Sequence, residues 1–518
     1  MGSMRAMRWP LLGVVAGGAA LAAAFPKPDL HLFVWVAVVP LLLVASRADP
    51  WTAMRYGFLF GMIFRAGNLY WVVDAMTQHG GLSLPLAMLA AALLMAYLAA
   101  YWGLFAMVVQ QTGLRARTAP FMIAACWTGL EYFQSWFLTG FPWTPLGYAS
   151  GRTTILIQIA SIAGVFGLTF LAVLVNAAVA SLLQHGSRVG VAALATAGLL
   201  LVALGYGGWA LDSSHPADDR LTVGLVQGNV AQDLKWDIGA RREILERHVE
   251  LSRQAAAQGA QLVIWPESSW PDPYGIERDA AAYHQVSRVA MEQATRIVVG
   301  TVRVTVADDG YEVANAAVLL GSDGGVDGAY EKSHLVPFGE YLPFHSVLRW
   351  LGPLVQAVGA MRAGDPGQPL LGANHATLPP FGMSICYEII FPHMARQQVA
   401  RGARFLATIT NDAWYGTSSG PYQHFAMARM RAVENRRWLV RAANTGISGA
   451  VDPWGRVVAA TGLEEVAVVV VEIGLRDETT LYQRIGDVFG IVCQFIALLA
   501  VAGALRGRPL LTPSANTV

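Results

Sequence analysis

The chain reads as a bundle of eight membrane-spanning helices carrying one α/β domain, and three observations predict that class. Only 14% of its 518 residues are charged and 54% are hydrophobic, where an average soluble domain carries about 25% charged residues. Apolar windows of about 20 residues, enough to cross the hydrocarbon core, recur near 9–25, 30–46, 56–75, 83–111, 118–134, 160–184, 189–210 and 487–505. Between the seventh and eighth windows lies a long stretch with ordinary charge content, ample Gly and Pro, and enough chain for a core of its own.

These features divide the sequence into four parts. Residues 1–4, Met-Gly-Ser-Met, read as a cloning remnant; 5–214 form a seven-helix membrane region; 215–480 form an extracytoplasmic domain; 481–518 hold the eighth membrane helix and a cytoplasmic tail. The net charge of +1 offers no basic excess for nucleic acid. Orientation follows from the short loops, since cytoplasmic loops collect Arg and Lys. Arg5, Arg8, Arg47, Arg55, Arg115, Arg117, Arg188, Arg506 and Arg508 fall on one side of an alternating chain, whereas Lys27 and Arg152 fall on the other. Both termini are therefore expected in the cytoplasm and the large domain outside it.

Within 215–480, apolar runs alternate with helical stretches. Strands are predicted at 221–227, 261–267, 296–304, 316–321, 383–386, 405–410, 439–443 and 467–473, and helices near 237–258 and 279–294. Such alternation indicates an α/β layered fold. Gly-Asn, Pro-Glu and Asn-Asp pairs punctuate the strand ends, where such folds place their chemistry.

The three cysteines give no disulfide framework. Cys126 and Cys493 lie in apolar runs and read as small buried hydrophobes. Cys386, in Ser384-Ile385-Cys386-Tyr387-Glu388 at a strand end, is the candidate nucleophile. Acyl transfer by a thiol needs a base for the proton and a cation or donor facing the oxyanion. Glu267, after Trp265-Pro266, can take the proton; Lys332 and the backbone N–H following Cys386 can face the oxyanion. Together they form a Cys-Glu-Lys constellation. No His/Cys/Asp cluster has metal-ligand spacing, so no metal or other cofactor is expected.

Trp265-Pro266-Glu267, the run from Lys332 to Glu340, Ile385-Cys386-Tyr387-Glu388 and Asn411-Asp412-Ala413-Trp414 resemble the Glu, Lys and Cys signatures of the carbon-nitrogen hydrolase, or nitrilase, superfamily. More narrowly, the chain resembles the apolipoprotein N-acyltransferase family. Ser135 to Trp143, Gln227-Gly228-Asn229, Leu234-Lys235-Trp236, Gln423-His424-Phe425 and Asn444 to Ser448 carry that narrower match. It covers nearly the whole chain.

The resemblance implies a nitrilase-like αββα-layered domain on an eight-helix platform in the inner membrane, with the domain on the periplasmic side. It implies a ping-pong acyltransferase. A fatty acyl chain would pass from a phospholipid donor, through a thioester on Cys386, to the N-terminal amine of the diacylglyceryl-cysteine of an apolipoprotein acceptor. The family's triad falls on Glu267, Lys332 and Cys386, while Glu340, Trp236, Tyr387 and Glu388 match supporting positions. His334 and His424 are expected to be structural. The rival reading is a membrane-tethered amidase or nitrilase that hydrolyses a small amide with the same triad, for which one anchor would suffice.

Three further features call for partners. Arg65 lies mid-span, where an arginine costs about 2.5–3.5 kcal/mol on the insertion scale, and a structural pairing with an acid such as Glu131 is expected. Trp51, Trp71, Trp136 and Trp143 read as interfacial anchors, Trp143 also being a candidate substrate contact. Between Glu340 and Gly364 the chain is too apolar for a solvated loop. It either packs into the domain core or, as expected here, forms a lipid-binding arm whose Phe344, Trp350 and Leu351 dip into the outer leaflet.

Overall fold

The computed structural model describes residues 2–507 except 216, 271, 273, 308, 309, 345, 347–360, 374 and 376, and leaves the side chains of 2–8, 236 and 307 undescribed. Trp350 and Leu351 of the expected arm, and the side chain of Trp236, thus lie outside the described residues; Phe344 is exposed. The chain divides into two compact units, the first made of Met1–Val73, Ser83–Ser213 and Arg484–Val518 and the second of Asp74–Leu82 and Ser214–Gln483.

The first unit is helical. Helices Gly2–Ala23, Val39–Ala45, Pro50–Leu69, Leu84–Thr112, Ala119–Gln134, Ala160–His185, Gly190–Asp212 and Val488–Leu505 fall one on each apolar window. By length and composition, Leu84–Thr112, the stretch Ala160–Asp212 and Val488–Leu505 are long and apolar enough to cross a membrane. The second window is broken into a 3-10 turn, His31–Trp35, and the short helix Val39–Ala45, with Pro40 in its first turn, where a missing N–H is harmless. Asn176, from another helix, stitches the break: its Oδ1 accepts from the Val38 N–H at 2.9 Å and its Nδ2 donates to the Val34 carbonyl at 2.8 Å. Large apolar side chains such as Leu194, Leu201, Phe495 and Leu499 remain exposed, a surface that suits lipid rather than water.

Arg65 is fully buried, but its partners differ from the expectation. It donates to Thr144 and, at 3.1 Å, to Gln134 Oε1. Glu131 instead accepts from the Leu146 N–H and, at 2.8 Å, from Thr169 Oγ1. Neutral acceptors meet the two terminal nitrogens of the guanidinium, while a loop and a helix claim the acid. The tryptophans also divide: Trp51 and Trp136 are exposed, as anchors would be, whereas Trp71 and Trp143 are buried with ring centroids 4.8 Å apart. Mutual packing removes those two from any lipid-facing belt.

The second unit holds two sheets. The six-stranded sheet comprises β1 (Arg220–Gln227), β2 (Leu262–Ile264), β3 (Arg296–Ala307), β4 (Gly310–Leu320), β5 (Val326–Glu331) and β11 (Ala467–Gly474), in the order β11-β1-β2-β3-β4-β5. The five-stranded sheet comprises β6 (Phe381–Ile385), β7 (Phe405–Thr410), β8 (Leu439–Ala443), β9 (Gly449–Val451) and β10 (Val457–Ala460), in the order β10-β9-β8-β7-β6. β1, β2 and β3 run parallel, as do β6, β7 and β8. β2 stops three residues short of Glu267 because Pro266 has no N–H to give a ladder. The strand expected from 316 begins at Gly310, since β4 is the second arm of a long hairpin with β3. β5, β9 and β10 were not predicted; their short or half-polar runs carry little periodicity.

The sheets pack face to face through Val223, Leu225, Ile264 and Leu319 on one side and Met383, Ile385, Ala407 and Ile409 on the other. The outer face of the first sheet is covered by helices Arg241–Ala257 and Ala280–Glu292, through Leu245, Val249, Val286 and Val289. Helices Pro392–Ala400 and Gly420–Asn435 pack on β6 and β8. The result is the αββα layering that the resemblance implied. Asp74–Leu82, between two helices of the first unit in sequence, belongs here: His79 Nε2 lies 3.1 Å from the Ala413 carbonyl and its ring packs edge-on against Trp414.

Candidate active site

The predicted triad converges from three strand ends. Glu267 follows β2, Lys332 follows β5 and Cys386 follows β6, and all three are buried. A parallel strand exposes its carboxyl end to a crevice, and here the second sheet brings the end of β6 to the ends of β2 and β5. Gly300 on β3 lets the Glu267 turn approach: a Cβ there would meet the Pro266 carbonyl oxygen at 1.9 Å.

Lys332 Nζ lies 2.7 Å from Glu340 Oε1 and 3.6 Å from Glu267 Oε1. Burial works against its charge, but Glu340, Glu267 and Cys386 outweigh burial and hold its pKa above that of free lysine. Glu340 is fixed in turn by the Val336 N–H at 2.8 Å. Glu267 is held at both oxygens, Oε1 accepting from Asn315 Nδ2 at 2.7 Å and Oε2 from the Asn411 N–H at 2.9 Å. The carboxylate is aimed, and its Lys332 contact is looser than the one Lys332 makes with Glu340.

Cys386 takes φ +51°, a left-handed conformation that a non-glycine residue adopts only under constraint. The constraint is visible. Glu388 Oε2 accepts from the Ile385 N–H at 2.7 Å, while its Oε1 accepts from the Ser333 N–H at 2.7 Å, the His334 N–H at 3.1 Å and the Tyr330 hydroxyl at 2.9 Å. One carboxyl thus ties the Cys386 turn to the loop after Lys332. Burial raises the Glu388 pKa, opposed by those backbone donors and by Lys332. Tyr387 is buried, its ring 5.2 Å from that of Phe391.

Burial, then the Glu267 charge, push the Cys386 thiol up to about 12, although Lys332 and a hydrogen bond from Thr410 pull the other way. A free thiolate is therefore scarce at neutral pH, and attack needs a base beside the sulfur. Behind Cys386 sits a second buried cluster. His424 Nε2 donates to the Cys386 carbonyl at 3.1 Å, and Arg441 Nη2 donates to Asp412 Oδ2 at 2.6 Å and lies 3.1 Å from His424 Nδ1. Burial first, then Arg441, lower the His424 pKa; Arg441 and His424 outweigh burial at Asp412 and lower its pKa. His424 is thus structural in its contacts, as expected, and His334 packs its ring 4.0 Å from that of Phe391.

Asn315, Arg441 and the buried Lys235, whose Nζ donates to the Glu267 carbonyl at 3.2 Å, had no assigned role in the sequence reading. Asn315 left one trace, a lone amide within the apolar run of β4. Among the described residues no cluster of His, Cys, Asp and Glu could hold a metal ion.

The sequence profile described as carbon-nitrogen hydrolase matches residues 222–483, and that of the apolipoprotein N-acyltransferase N-terminal domain matches 17–178. An apolipoprotein N-acyltransferase of Geobacter metallireducens is 38% identical over 96% of this chain and 95% of its own length. One of Haemophilus ducreyi is 33% identical over 90% of this chain and 92% of its own. An amidase of the nitrilase superfamily from Nesterenkonia AN1 matches 52% of this chain and 95% of its own at 21% identity, with a TM-score of 0.38. Identities of 33% and 38% to full-length relatives, sustained across both the helical and the α/β halves, place the chain in the apolipoprotein N-acyltransferase family, membrane-associated acyltransferases built on a carbon-nitrogen hydrolase domain.

Proposed function

We propose that the protein transfers a fatty acyl chain from a phospholipid, through a thioester on Cys386, to the N-terminal amine of the diacylglyceryl-cysteine of an apolipoprotein. The observation that carries this reading is the meeting of a buried thiol, an aimed carboxylate and a buried ammonium in a chain whose other unit is apolar helix. Glu267 takes the thiol proton, Cys386 attacks the ester carbonyl, and Lys332 with the Tyr387 N–H faces the oxyanion. The proton passes to the departing lysophospholipid oxygen. The acceptor amine then attacks the thioester, forming an amide more stable than the bond it replaces, so the step needs no nucleotide. Glu340 holds Lys332, Glu388 and Tyr387 shape the turn at Cys386, and Trp236 lies beside the site in sequence.

On this reading the eight helices of the first unit are eight spans, with 5–214 and 481–518 in the inner membrane, 215–480 on the periplasmic side and both termini in the cytoplasm. The skew of Arg toward alternate loops supports that orientation. An amidase acting on a small amide is the weaker alternative, since it gives the helical unit no task. Purified protein incubated with labelled phospholipid and a diacylated lipopeptide decides between them. The expected result is an acyl mass on Cys386, labile to neutral hydroxylamine, that moves to the lipopeptide. Release of free fatty acid alone, or acylation that persists in Cys386→Ala, rejects the proposal.

A further inference from the structure

The Asn411-to-Trp414 motif follows β7 directly, and the last residue of that strand meets Cys386. β6 and β7 run parallel with Ser384 opposite Thr408 and Ile385 opposite Ile409, so the next rung sets Thr410 beside Cys386, one inter-strand spacing of about 4.8 Å away. Thr410 is fully buried. Its Oγ1 is hydrogen-bonded to the Cys386 thiol and donates to Asp412 Oδ1 at 3.0 Å. A hydroxyl has one hydrogen, which serves one of these two partners at a time. Asp412 does not depend on it, because Arg441 Nη2 donates to Oδ2 at 2.6 Å and His424 Nδ1 lies 3.1 Å from Oδ1. The other titratable groups around the thiol are Glu267, Lys332, Lys235 and Tyr415.

The acyl-transfer reading, on which the inference rests, gives this hydroxyl a task. The sulfur carries negative charge twice, when Glu267 takes its proton and when the acceptor amine expels it from the thioester. At both moments Lys332 and the Tyr387 N–H face the carbonyl oxygen, and in the first Glu267 holds the proton destined for the leaving alcohol. The sulfur therefore needs a donor of its own. We propose that Thr410 is a fourth catalytic residue, whose hydroxyl donates to the Cys386 thiolate in both half-reactions. The hydroxyl turns about its Cβ–Oγ1 bond from Asp412 to the sulfur as the charge appears, and turns back once the C–S bond has formed or the thiol has regained its proton. Its own proton never leaves Oγ1, so the proton count of each half-reaction is unchanged.

The test uses the full-length protein carrying Thr410→Val, which keeps the branched shape and loses the donor, and Thr410→Ser, which keeps the donor. Each is treated with iodoacetamide, which consumes the thiolate, across the neutral to alkaline range, and the adduct on Cys386 is counted by mass. Thr410→Val should be alkylated about 10- to 100-fold more slowly than wild type, the effect of losing one hydrogen bond to a charged group. A site that had merely loosened would react faster. Acylation by labelled phospholipid and transfer to a diacylated lipopeptide should slow by a similar factor, while Thr410→Ser stays close to wild type in all three measurements. Thr410→Ala takes the place of the valine variant if thermal melts show that protein unfolded. Wild-type alkylation and acylation by the hydroxyl-free variant, or equal slowing in serine and valine, overturns the assignment. Failure of phospholipid to acylate the wild type, beside slowed alkylation of Thr410→Val, counts against the acyl-transfer reading and supports the donor.

Discussion

Two buried charged clusters flank Cys386, and they are built to opposite ends. Glu267, Lys332 and Glu340 set one cation between two carboxylates, with the Lys332 contact to Glu267 at 3.6 Å against 2.7 Å to Glu340. Asp412, Arg441 and His424 set a guanidinium against a carboxylate at 2.6 Å, hold the imidazole 3.1 Å from that carboxylate through Nδ1, and turn its Nε2 toward the Cys386 carbonyl. The first cluster sets two carboxylates about one lysine, one of them held more loosely than the other; the second pairs its carboxylate tightly with arginine and points at backbone. Equal burial therefore serves the proposed chemistry in one case and bracing in the other, and what separates them is the tightness of the ion pairs and where they aim.

The comparison is most exposed to loss of the base. Glu267→Gln keeps shape but loses basicity, so acylation and transfer should each fall by about 10²–10⁴ while the unfolding midpoint of the purified protein barely moves. Near-normal lipopeptide acylation by this variant would remove Glu267 from the reacting cluster. On the bracing side the order should reverse. Arg441→Leu strands the buried Asp412 carboxylate, at a cost of about 3–5 kcal/mol, and thermal melts should show the fold failing first. If that protein instead melts like wild type yet cannot be acylated, the bracing cluster takes part in the reaction and the contrast collapses.

Acid sharpens the picture through a third buried group. His248 lies against Trp265, and burial brings its pKa down to about 4 from an ordinary 6.5. Between those values the unfolded chain binds the proton and the folded one does not. This contribution is complete above pH 6.5 and drains as pH falls toward 4, amounting to about 3 kcal/mol at 1.36 kcal/mol per unit. Melting midpoints recorded across that range should decline with acid and decline less steeply in His248→Gln; parallel curves would place the acid sensitivity elsewhere. The smallest expected effect belongs to the apolar run after Glu340. Replacing Trp350 and Leu351 by Ser should weaken use of phospholipid and lipopeptide severalfold at unchanged melting temperature, which assays in native membranes can measure.

Much of this molecule was legible before any coordinates. The apolar windows located the helices, and short apolar runs located β1, β6, β7, β8 and β11, because both patterns depend on neighbours in the chain. The three residues of the proposed triad stood out because each interrupts or follows such a run. Segments whose role depends on distant partners carried no such mark. Asn315 reaches Glu267 across 48 residues, and the Asn411 N–H reaches it across 144.

Sequence by itself thus determined the class of fold, the two kinds of unit and the identity of thiol, carboxylate and ammonium, since hydropathy, periodicity and residue chemistry are local properties. Tertiary structure decided the rest. It gave Arg65 neutral partners in place of Glu131, buried Trp71 against Trp143, made Glu388 the tie between the Cys386 turn and the Lys332 loop, and turned Lys235 to the main-chain oxygen of Glu267 while Lys332 received two carboxylates. Charge state and strain are set by what lies within a few ångströms, and only the face-to-face packing of two sheets, which brings their strand ends together, fixes those neighbours.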